Sequence, residues 1–407
     1  MYGQTTCRAC LSKNLYCYLP LGDHPPANAF RKPEQLEAGE SAYPLDTHVC
    51  LDCGLIQIPD PLPKDYYVDY LYVPSASTTM PVHFRALAKR FKSELITAPD
   101  QYIVDIGCND GLLLAAANDE GVKTLGIDPS TNIGALAVAR GVNVVNAYFS
   151  EETGKKVAES HGKAQVIVTT NTLNHIDNLH DFMRGVDALL APEGTFVIEA
   201  PQALTCVEHN EFDTVYHEHL SVFSAASVAA MGAVVGLRLV AIDELPIHGG
   251  SMRYYLKRGG APSPAVTAFL KKEKDAGLFS KETYDAHAAR VEVIRKDLMS
   301  LLAKLKAEGK KLAGYSAPAK GNTLLNYYGI GPDLLDFIAD KNSLKHGRMT
   351  PGSRIPIVSP DVIDEKNPDY LLILAWNFKD EILEQLEPYR QRGGKFILPI
   401  PAVEVIS

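Results

Sequence analysis

Asp105-Ile-Gly-Cys-Asn-Asp-Gly111 is the stretch of sequence that decides the fold. It begins within a short β-type run, Tyr102 to Ile106, that is typical of a buried β-strand, and a helical run begins after it at about Leu112. Gly107 and Gly111 allow the backbone of this turn to come close to a bound ligand. The stretch therefore predicts a strand, a ligand-binding turn and a helix in succession.

The same alternation of strands and helices continues downstream of this turn. Short apolar runs predict further strands at Thr124 to Ile127, Asn143 to Asn146, Val166 to Thr170 and Thr195 to Glu199. Strands that alternate with helices form a parallel, doubly wound sheet. We therefore expect an α/β fold of the Rossmann type, in which ligands bind at the carboxyl ends of the strands.

The turn departs from the fingerprint of dinucleotide-binding proteins. That fingerprint is GxGxxG, whereas this turn has the form DxGxxxG with a second acid at Asp110, and carboxylates are unfavourable beside a pyrophosphate. Asp128 ends the second strand, where a carboxylate accepts hydrogen bonds from ribose hydroxyls. S-adenosylmethionine, which has a cationic amino-acid tail and no phosphate, suits these acids better than NAD. The residues expected to bind it are Asp105, Gly107, Asn109, Asp110, Gly111, Asp128 and Asn171.

Composition and charge limit the class of protein. The chain has 407 residues, of which 46% are apolar, enough for two to four domains. A net charge of -9 disfavours nucleic acid as a partner, and no unbroken apolar run approaches the length of a membrane span. Seven cysteines in so long a chain do not indicate a secreted disulfide scaffold, and the first residues carry no basic segment followed by an apolar run. A cytoplasmic protein is expected.

Two CxxC pairs lie near the start of the chain, Cys7 with Cys10 and Cys50 with Cys53. Two such pairs can supply four thiolates to one tetrahedral zinc ion, whereas a redox motif needs a single pair between a strand and a helix. The other alternative is four unconnected reduced cysteines. A complete set of four protein ligands predicts a structural zinc ion, whose binding contributes to the folding of this short segment.

A cluster of titratable side chains, Tyr216-His-Glu-His219, lies beyond the fifth predicted strand. Metal binding is one alternative, but adjacent His, Glu and His lack the i,i+4 spacing of a zinc-protease helix. Proton transfer fits these residue types better. His219 can titrate near neutral pH, Glu218 is expected to hold its ring, and Tyr216 can donate to a developing oxyanion.

Two other segments are expected near the same crevice. His175 lies in the Asn171 to Asp177 loop after the fourth strand, where it is either a site residue or a structural histidine. The segment from Tyr66 to Thr79 is rich in tyrosine and hydroxyl side chains and includes Tyr72 and Ser75. It either packs between domains or forms a wall over a polar ligand.

The last third of the chain repeats the α/β pattern. A charged helical stretch runs from Ala265 to about Glu308. Strands are predicted at Lys311 to Tyr315, Asp333 to Ile338, Ile355 to Val358, Tyr370 to Leu374 and Lys395 to Ile397. A second α/β unit of about 100 residues is indicated, which is a normal domain size. The loop from Ser316 to Asn322 is not a complete P-loop, so ATP hydrolysis is not predicted.

In combination these motifs resemble those of the zinc-containing, S-adenosylmethionine-dependent sugar C-methyltransferases, which methylate C3 of nucleotide-linked 4-keto-6-deoxyhexoses. The resemblance covers essentially the whole chain. Its residues are both CxxC pairs, Tyr72 with Ser75 and Ser77, Asp105 to Gly111, Asn171 to His175, Tyr216 to His219, His248 to Arg253, Gly314 to Gly321, Thr350 to Gly352 and Ala375 to Asn377.

The resemblance implies a reaction in which a base removes the C3 hydrogen, acidified by the C4 ketone, and the enolate attacks the sulfonium methyl group. His219 is implied as the base with Glu218 as its partner. Tyr216, His175 and Tyr72 are implied as contacts to the substrate. The family pattern admits an acidic residue at position 217, whereas this sequence has His217 there. A second histidine beside His219 leaves two candidates for the base, His217 and His219.

The expected substrate is a nucleotide-linked sugar of the dTDP or GDP type. Lys320 and Arg253 are candidates for binding its diphosphate, with ordinary solvated cations as the alternative, and Ser75 and His217 are further substrate-binding candidates.

We expect a zinc module at residues 1–66, a methyltransferase domain at 67–255, and a helical connection with a C-terminal α/β substrate-binding domain at 256–407. The alternatives are O- or N-methylation of a sugar or small metabolite, and a zinc- and S-adenosylmethionine-binding module without turnover.

Overall fold

Sheets of four, seven and six strands follow one another along the chain, with a two-stranded ribbon beside the first. The structure is a computed structural model, and it describes residues 5–62, 79–247 and 249–407. Tyr72, Ser75 and His248, which were singled out in the sequence, lie outside the described residues.

The N-terminal part consists of short strands. Its elements are β1 (Leu15–Leu19), β2 (Asp23–His24), a 3-10 helix (Pro33–Ala38), β3 (Tyr43–Pro44), β4 (Thr47–Cys50) and β5 (Ile56–Gln57). β1, β4 and β5 are antiparallel neighbours, and β2 pairs with β3. Cys50 ends β4, and Cys53 lies in the turn between β4 and β5.

The central part alternates strands and helices. Its elements are α1 (Thr79–Glu94), β6 (Tyr102–Ile106), α2 (Leu112–Asp119), β7 (Lys123–Ile127), α3 (Thr131–Ala139), β8 (Val144–Val145), α4 (Glu151–His161), β9 (Ala164–Thr170), a 3-10 helix (Leu173–His175), α5 (Leu179–Leu189), β10 (Leu190–Pro201), α6 (Ala203–Glu208), a 3-10 helix (Phe212–Thr214), β11 (Ser221–Val222), α7 (Ala225–Ala233), β12 (Arg238–Leu245) and β13 (Ser251–Lys257).

The central sheet has the strand order β12-β13-β10-β9-β6-β7-β8. The pairings from β10 to β8 are parallel, and β13 lies antiparallel between β10 and β12. All five residues of β6 are buried, because helices cover both faces of a doubly wound sheet. The strand order reverses between β6 and β9, and a crevice forms at the carboxyl ends of strands at such a point.

The C-terminal part has a second, mostly parallel sheet. Its elements are α8 (Pro264–Asp275), α9 (Lys281–Ala307), β14 (Leu312–Tyr315), α10 (Ala319–Tyr328), β15 (Ile338–Ala339), a 3-10 helix (Ser343–Lys345), β16 (Ile357–Val358), α11 (Val362–Lys366), β17 (Tyr370–Ile373), a 3-10 helix (Trp376–Phe378), α12 (Lys379–Gln385), α13 (Glu387–Gln391), β18 (Lys395–Leu398) and β19 (Glu404–Ile406). The order is β16-β15-β14-β17-β18-β19, and β19 is antiparallel to β18.

The predicted α/β fold is confirmed, and two details of the prediction are wrong. The strand predicted at Asp333 to Ile338 is shorter than expected, since only the two-residue strand β15 (Ile338–Ala339) forms. The amides of Leu334 and Leu335 both bond the carbonyl of Gly331, so the residues before β15 form a turn. The predicted continuous helical stretch is divided into α8 and α9. Gly277, with a φ of +74°, ends the first helix in a left-handed conformation that favours glycine. Within the described ranges, no helix is both long and apolar enough to cross a membrane.

Candidate active site and metal centre

The turn after β6 and the loop after β9 meet in the crevice. Gly107 has a φ of +77°, and a Cβ built on it would lie 2.2 Å from Oγ1 of Thr172. Any larger residue at this position would collide with the Thr172 side chain. Glycine therefore permits the close approach of the two loops that carry the predicted cofactor and catalytic residues.

Asp128, at the end of β7, has a fixed orientation beside the same turn. Its Oδ2 accepts a hydrogen bond from the amide of Asn109 at 2.9 Å, and its Oδ1 accepts one from the amide of Ser130 at 2.9 Å. Asn109 has a φ of +48°, a conformation that asparagine tolerates better than most residues. The hydrogen bond between Asn109 and Asp128 joins the carboxyl ends of β6 and β7. It also sets the position of a carboxylate that is suited to binding ribose hydroxyls.

Asp105 is a buried carboxyl group with one oxygen that lacks a hydrogen bond among the described residues. Within the described part of the chain its Oδ1 has no hydrogen bond, and burial, together with the charges of Asp128 and Glu199, raises its pKa to about 8. A diphosphate would add negative charge to this region, whereas a ligand ammonium or sulfonium group would stabilise the ionised form. The buried carboxyl groups of Asp105, Asp128 and Glu199 therefore fit a cationic cofactor.

Two other predicted cofactor residues have contacts that the sequence did not reveal. Asp110 is fully buried, and its Oδ2 pairs with Nη2 of Arg140 at 3.1 Å, so its charge is balanced within the protein. This ion pair weakens the case for Asp110 as a cofactor ligand. Asn171 has a φ of +52°, and its amide bonds the carbonyl of Glu199 at 2.8 Å, which anchors the loop to the end of β10.

Tyr216 and His219 form the centre of the titratable cluster. Their rings stack with centroids 3.9 Å apart, and the Tyr216 hydroxyl lies 2.5 Å from Nε2 of His219. Nδ1 of His219 lies 2.9 Å from the carbonyl oxygen of Thr214, which can only accept. Nδ1 therefore carries a hydrogen, and in the neutral ring Nε2 presents a lone pair that accepts from the tyrosine.

His175 lies against this pair. Its ring centroid is 5.0 Å from that of His219, in an edge-on arrangement. Desolvation lowers the pKa of His175 to about 4, so its imidazole is neutral at pH 7. Because Thr172, three residues earlier, contacts Gly107, the cluster is connected directly to the predicted cofactor turn.

Glu218 does not hold the ring of His219, and this part of the prediction is wrong. Its Oε2 accepts a hydrogen bond from Nδ2 of Asn28 at 2.6 Å, and the Thr214 carbonyl takes the place that Glu218 was expected to fill. The amide of His219 bonds the carbonyl of Tyr216 at 2.8 Å, so residues 216–219 form a turn in which the side chains of the neighbours Glu218 and His219 point in different directions. Burial raises the pKa of Glu218 to about 7.

His217 is turned toward the N-terminal part. It is 1% exposed, and its Nε2 donates to the carbonyl oxygen of Tyr43 at 3.0 Å. Burial lowers its pKa to about 4. Asn28 and Tyr43, from the N-terminal part, and Thr214 thus hold the loop, and no local sequence signal identified any of the three.

The four cysteines of the CxxC pairs are gathered in one place. All four Sγ atoms lie within 4.8 Å of one another, and Cys7–Cys53 and Cys10–Cys50 are each separated by 3.5 Å. A tetrahedral zinc site with Zn–S bonds of about 2.3 Å has sulfur atoms about 3.8 Å apart, close to the observed spacing. Among described residues, this is the one group of histidine, cysteine and acidic side chains close enough to share an ion, and His217, Glu218 and His219 do not form another.

Comparison with known proteins shows relatives along the full length. Three family models match in succession, a zinc binding domain at residues 7–67, a methyltransferase domain at 82–242 and a C-methyltransferase C-terminal domain at 246–401. C-methyltransferase NovU of Streptomyces niveus is 35% identical over 405 residues, covering 98% of this chain and 96% of that protein. The chain belongs to the C-methyltransferase family. This C-methyltransferase uses S-adenosylmethionine, and its four clustered cysteines hold a structural zinc ion.

More distant relatives match only part of the C-methyltransferase. The ubiquinone biosynthesis O-methyltransferase of Rickettsia bellii (strain OSU 85-389) is 22% identical over 119 residues, which are 29% of this chain and 49% of that protein. The structure of the CcbJ methyltransferase from Streptomyces caelestis shares 16% identity with a TM-score of 0.35, covering 47% of this chain and 100% of that one. The family assignment therefore depends on the full-length match.

The two predicted diphosphate ligands of the C-methyltransferase have different surroundings. Arg253 is buried, with its Nε 2.5 Å from Oε1 of Glu199 and its Nη1 3.5 Å from Oδ2 of Asp243. Its charge is thus already balanced, which weakens its case as a substrate ligand. Lys320, at the start of α10, lies with Nζ 4.3 Å from the centre of the Trp376 ring.

Two carboxyl groups lie near Lys320. Asp213 accepts a hydrogen bond from Nε1 of Trp376 at 2.8 Å, and burial raises its pKa to about 6. Burial also raises the pKa of Glu211 to about 8, and the charge of Lys320 opposes both increases. Because buried carboxyl groups with raised pKa values are partly protonated near neutral pH, they do not fully neutralise Lys320.

Proposed function

We propose that this C-methyltransferase methylates C3 of a nucleotide-linked 4-keto-6-deoxyhexose. The observation that supports the proposal most directly is the orientation of His219, whose Nδ1 donates to Thr214 and whose Nε2 has its lone pair directed to Tyr216. In its neutral form, an imidazole held in this way is suited to removing a proton from carbon. The C-methyltransferase name of NovU agrees with transfer to carbon.

The proposed reaction begins with loss of the C3 proton. The C3–H bond breaks, the proton passes to Nε2 of His219, and the electron pair moves into the C4 carbonyl to give an enolate. S-adenosylmethionine supplies the electrophilic methyl group. A bond forms between C3 and that methyl carbon as the sulfur–methyl bond breaks, so the products are the C-methylated ketone and S-adenosylhomocysteine.

The other residues of the cluster are proposed to stabilise the enolate. When Nε2 takes the C3 proton it no longer accepts from Tyr216, whose hydroxyl is then available to donate to the enolate oxygen. His175, neutral at pH 7, is a second donor beside it. Glu218 acts from the opposite side of the loop by binding Asn28, and its pKa of about 7 allows it to hold a proton near neutral pH.

His219 is the proposed base in preference to His217. The Nε2 atom of His217 carries a hydrogen that is donated to Tyr43, and the residue is 1% exposed. His219 instead contacts both Tyr216 and His175. His217 is therefore proposed to support the loop, and Lys320, rather than Arg253, is proposed to contact the substrate diphosphate.

Incubation with S-adenosylmethionine and a panel of dTDP- and GDP-linked 4-keto-6-deoxyhexoses tests the proposal. We expect a mass gain of one CH2 unit and an NMR spectrum that places the new methyl group on C3. The matched control is the same panel reduced to 4-hydroxy sugars, which cannot form the enolate and should give no product. A methyl group on oxygen or nitrogen, or equal turnover of the reduced sugars, would reject C-methylation through an enolate.

A further inference from the structure

The zinc-binding part contacts the active-site loops from two directions. β5 pairs antiparallel with β11, which begins two residues after His219, and it extends the N-terminal sheet into the central part. Directly beyond β5, the amide of Ile58 bonds the carbonyl oxygen of Leu220 at 3.2 Å. The strand that follows the second CxxC pair therefore fixes the chain next to the proposed base.

The first CxxC pair contacts the loop that carries His175. Arg8, between Cys7 and Cys10, is 1% exposed and extends its Nε to within 3.2 Å of Oδ1 of Asp177. The neighbouring carbonyl of Ala9 accepts from Nε2 of His180 at 3.1 Å. One contact lies in the connection between the 3-10 helix containing His175 and α5, and the other lies in the first turn of α5.

A single guanidinium group connects the two sides. Besides its ion pair with Asp177, Arg8 donates through Nη1 to the carbonyl of Ile58 at 2.5 Å and through Nη2 to the carbonyl of Pro59 at 3.3 Å. Ile58 bonds the residue next to His219, and Asp177 is two residues from His175. The planar, five-donor guanidinium can hold such groups in a fixed relation, which a lysine ammonium could not.

We propose that Arg8 is a positioning residue that sets the separation between His175 and His219. The role depends on the proposed function, because it assigns a catalytic meaning to the distance between these two rings. It also gives the zinc ion a task beyond folding its own segment, since Arg8 lies between two of the zinc ligands. Misplacing reacting groups by about 1 Å can reduce a rate by about 100-fold, so a small shift of either loop matters.

Asp177→Ala is the variant that tests this role. The Asp177 side chain is 53% exposed, but that of Arg8 is 0% exposed, so the variant leaves a buried cation without its carboxylate partner and is expected to lose some stability. Thermal unfolding therefore has to show that Asp177→Ala still folds before its activity is compared. It leaves the bonds of Arg8 to Ile58 and Pro59 in place. The matched control is Asp187→Ala on α5, which removes a carboxylate paired with Arg258 away from the zinc-binding part.

The experiment uses the full zinc-loaded chain and measures zinc content, S-adenosylmethionine affinity, kcat, KM and amide hydrogen exchange. We expect Asp177→Ala to keep zinc and cofactor binding, to lose about 10- to 100-fold in kcat with little change in KM, and to exchange severalfold faster in the 171–180 peptide. Asp177→Glu, which retains the carboxylate, should restore most of kcat. Asp187→Ala should match the wild type in all these measurements.

Three outcomes would overturn the inference. They are unchanged exchange in the 171–180 peptide of Asp177→Ala, an unchanged kcat in that variant, or an equal loss in Asp187→Ala. Failure of the proposed function would look different, because the wild-type enzyme itself would then convert no 4-keto sugar nucleotide. The hydrogen-exchange comparison still reports in that case whether Asp177 anchors the loop.

Discussion

His219→Asn and His217→Gln should separate the two histidines that the sequence left as alternatives. The side chains are chosen to retain the hydrogen bond that each imidazole donates to a backbone carbonyl. In the first variant the asparagine amide nitrogen can replace Nδ1 of His219 as donor to Thr214. In the second, the glutamine amide nitrogen can replace Nε2 of His217 as donor to Tyr43. Each variant thus preserves the bond to the backbone carbonyl and removes the imidazole, and His219→Asn also removes the ring contact and the acceptor of the Tyr216 hydroxyl.

The expected effects differ by orders of magnitude. A general base contributes about 100- to 10,000-fold to rate, or about 3–5 kcal/mol of barrier, so His219→Asn should lose that much of both proton removal and methylation. His217→Gln should keep turnover within about threefold, because the imidazole of His217 is buried away from Tyr216 and His219. Its cost should appear in stability, at about 1 kcal/mol for an imperfectly replaced buried hydrogen bond.

Solvent deuterium exchange at C3 of the 4-keto substrate, followed by NMR without S-adenosylmethionine, measures proton removal alone. Methylation under the same conditions then measures the complete reaction, and thermal unfolding verifies that each variant folds. Wild-type exchange rates in folded His219→Asn would refute His219 as the base. Loss of exchange in folded His217→Gln, at a level equal to that of His219→Asn, would show that the assignment of the two histidines is reversed.

Four other perturbations have defined outcomes. Gly107→Ala should abolish S-adenosylmethionine binding by calorimetry, because the new Cβ would lie 2.2 Å from Thr172, and preserved affinity would contradict the close approach. The pKa of Asp105, raised from 3.8 to about 8, predicts that the unliganded protein loses stability as pH rises from about 4 to about 8, with no further loss from this group above that value. Asp105→Asn should flatten this decline in denaturant titrations, and an identical slope would exclude Asp105 as its source. Glu218→Gln should likewise remove a decline of about 3 kcal/mol between pH 4.5 and about 7, at about 1.4 kcal/mol per pH unit. Zinc removal by a chelator should increase amide exchange in the 216–222 peptide before the β6 peptide, and simultaneous opening would count against a local role for the metal.

The central sheet could be predicted from the sequence because its signals are local. β6 is buried along its full length, and four of its five residues are apolar or aromatic, with Asp105 as the exception. The glycine-containing turn after it is typical of a ligand-binding turn between a strand and a helix. β11 could not be found in this way. It is two residues long, and it exists because β5, more than 160 residues earlier in the chain, pairs with it. Pairing between strands so distant and short leaves no periodic pattern in either sequence.

The same distinction applies to the active site. Tyr216 and His219 were predictable from their chemical types, and their contact follows from a three-residue separation on a turn. The partners that fix the loop, Asn28 and Tyr43, are ordinary polar and aromatic residues in another part of the chain. The expected bond between Glu218 and His219 failed because sequence neighbours were taken for spatial partners.

A metal-held module is a physically suitable support for such a loop. The Tyr216 to His219 loop includes buried titratable groups, and a buried polar group is costly unless its hydrogen bonds are satisfied with good geometry. The partners Asn28 and Tyr43 come from a part of the chain whose strands are two to five residues long, and so small a segment has little apolar core of its own. Zinc binding by four cysteines supplies the missing rigidity, because the free energy of metal binding is also folding free energy for a small module. The metal should therefore affect proton transfer through the position of the loop, although the four cysteines take no part in the chemistry.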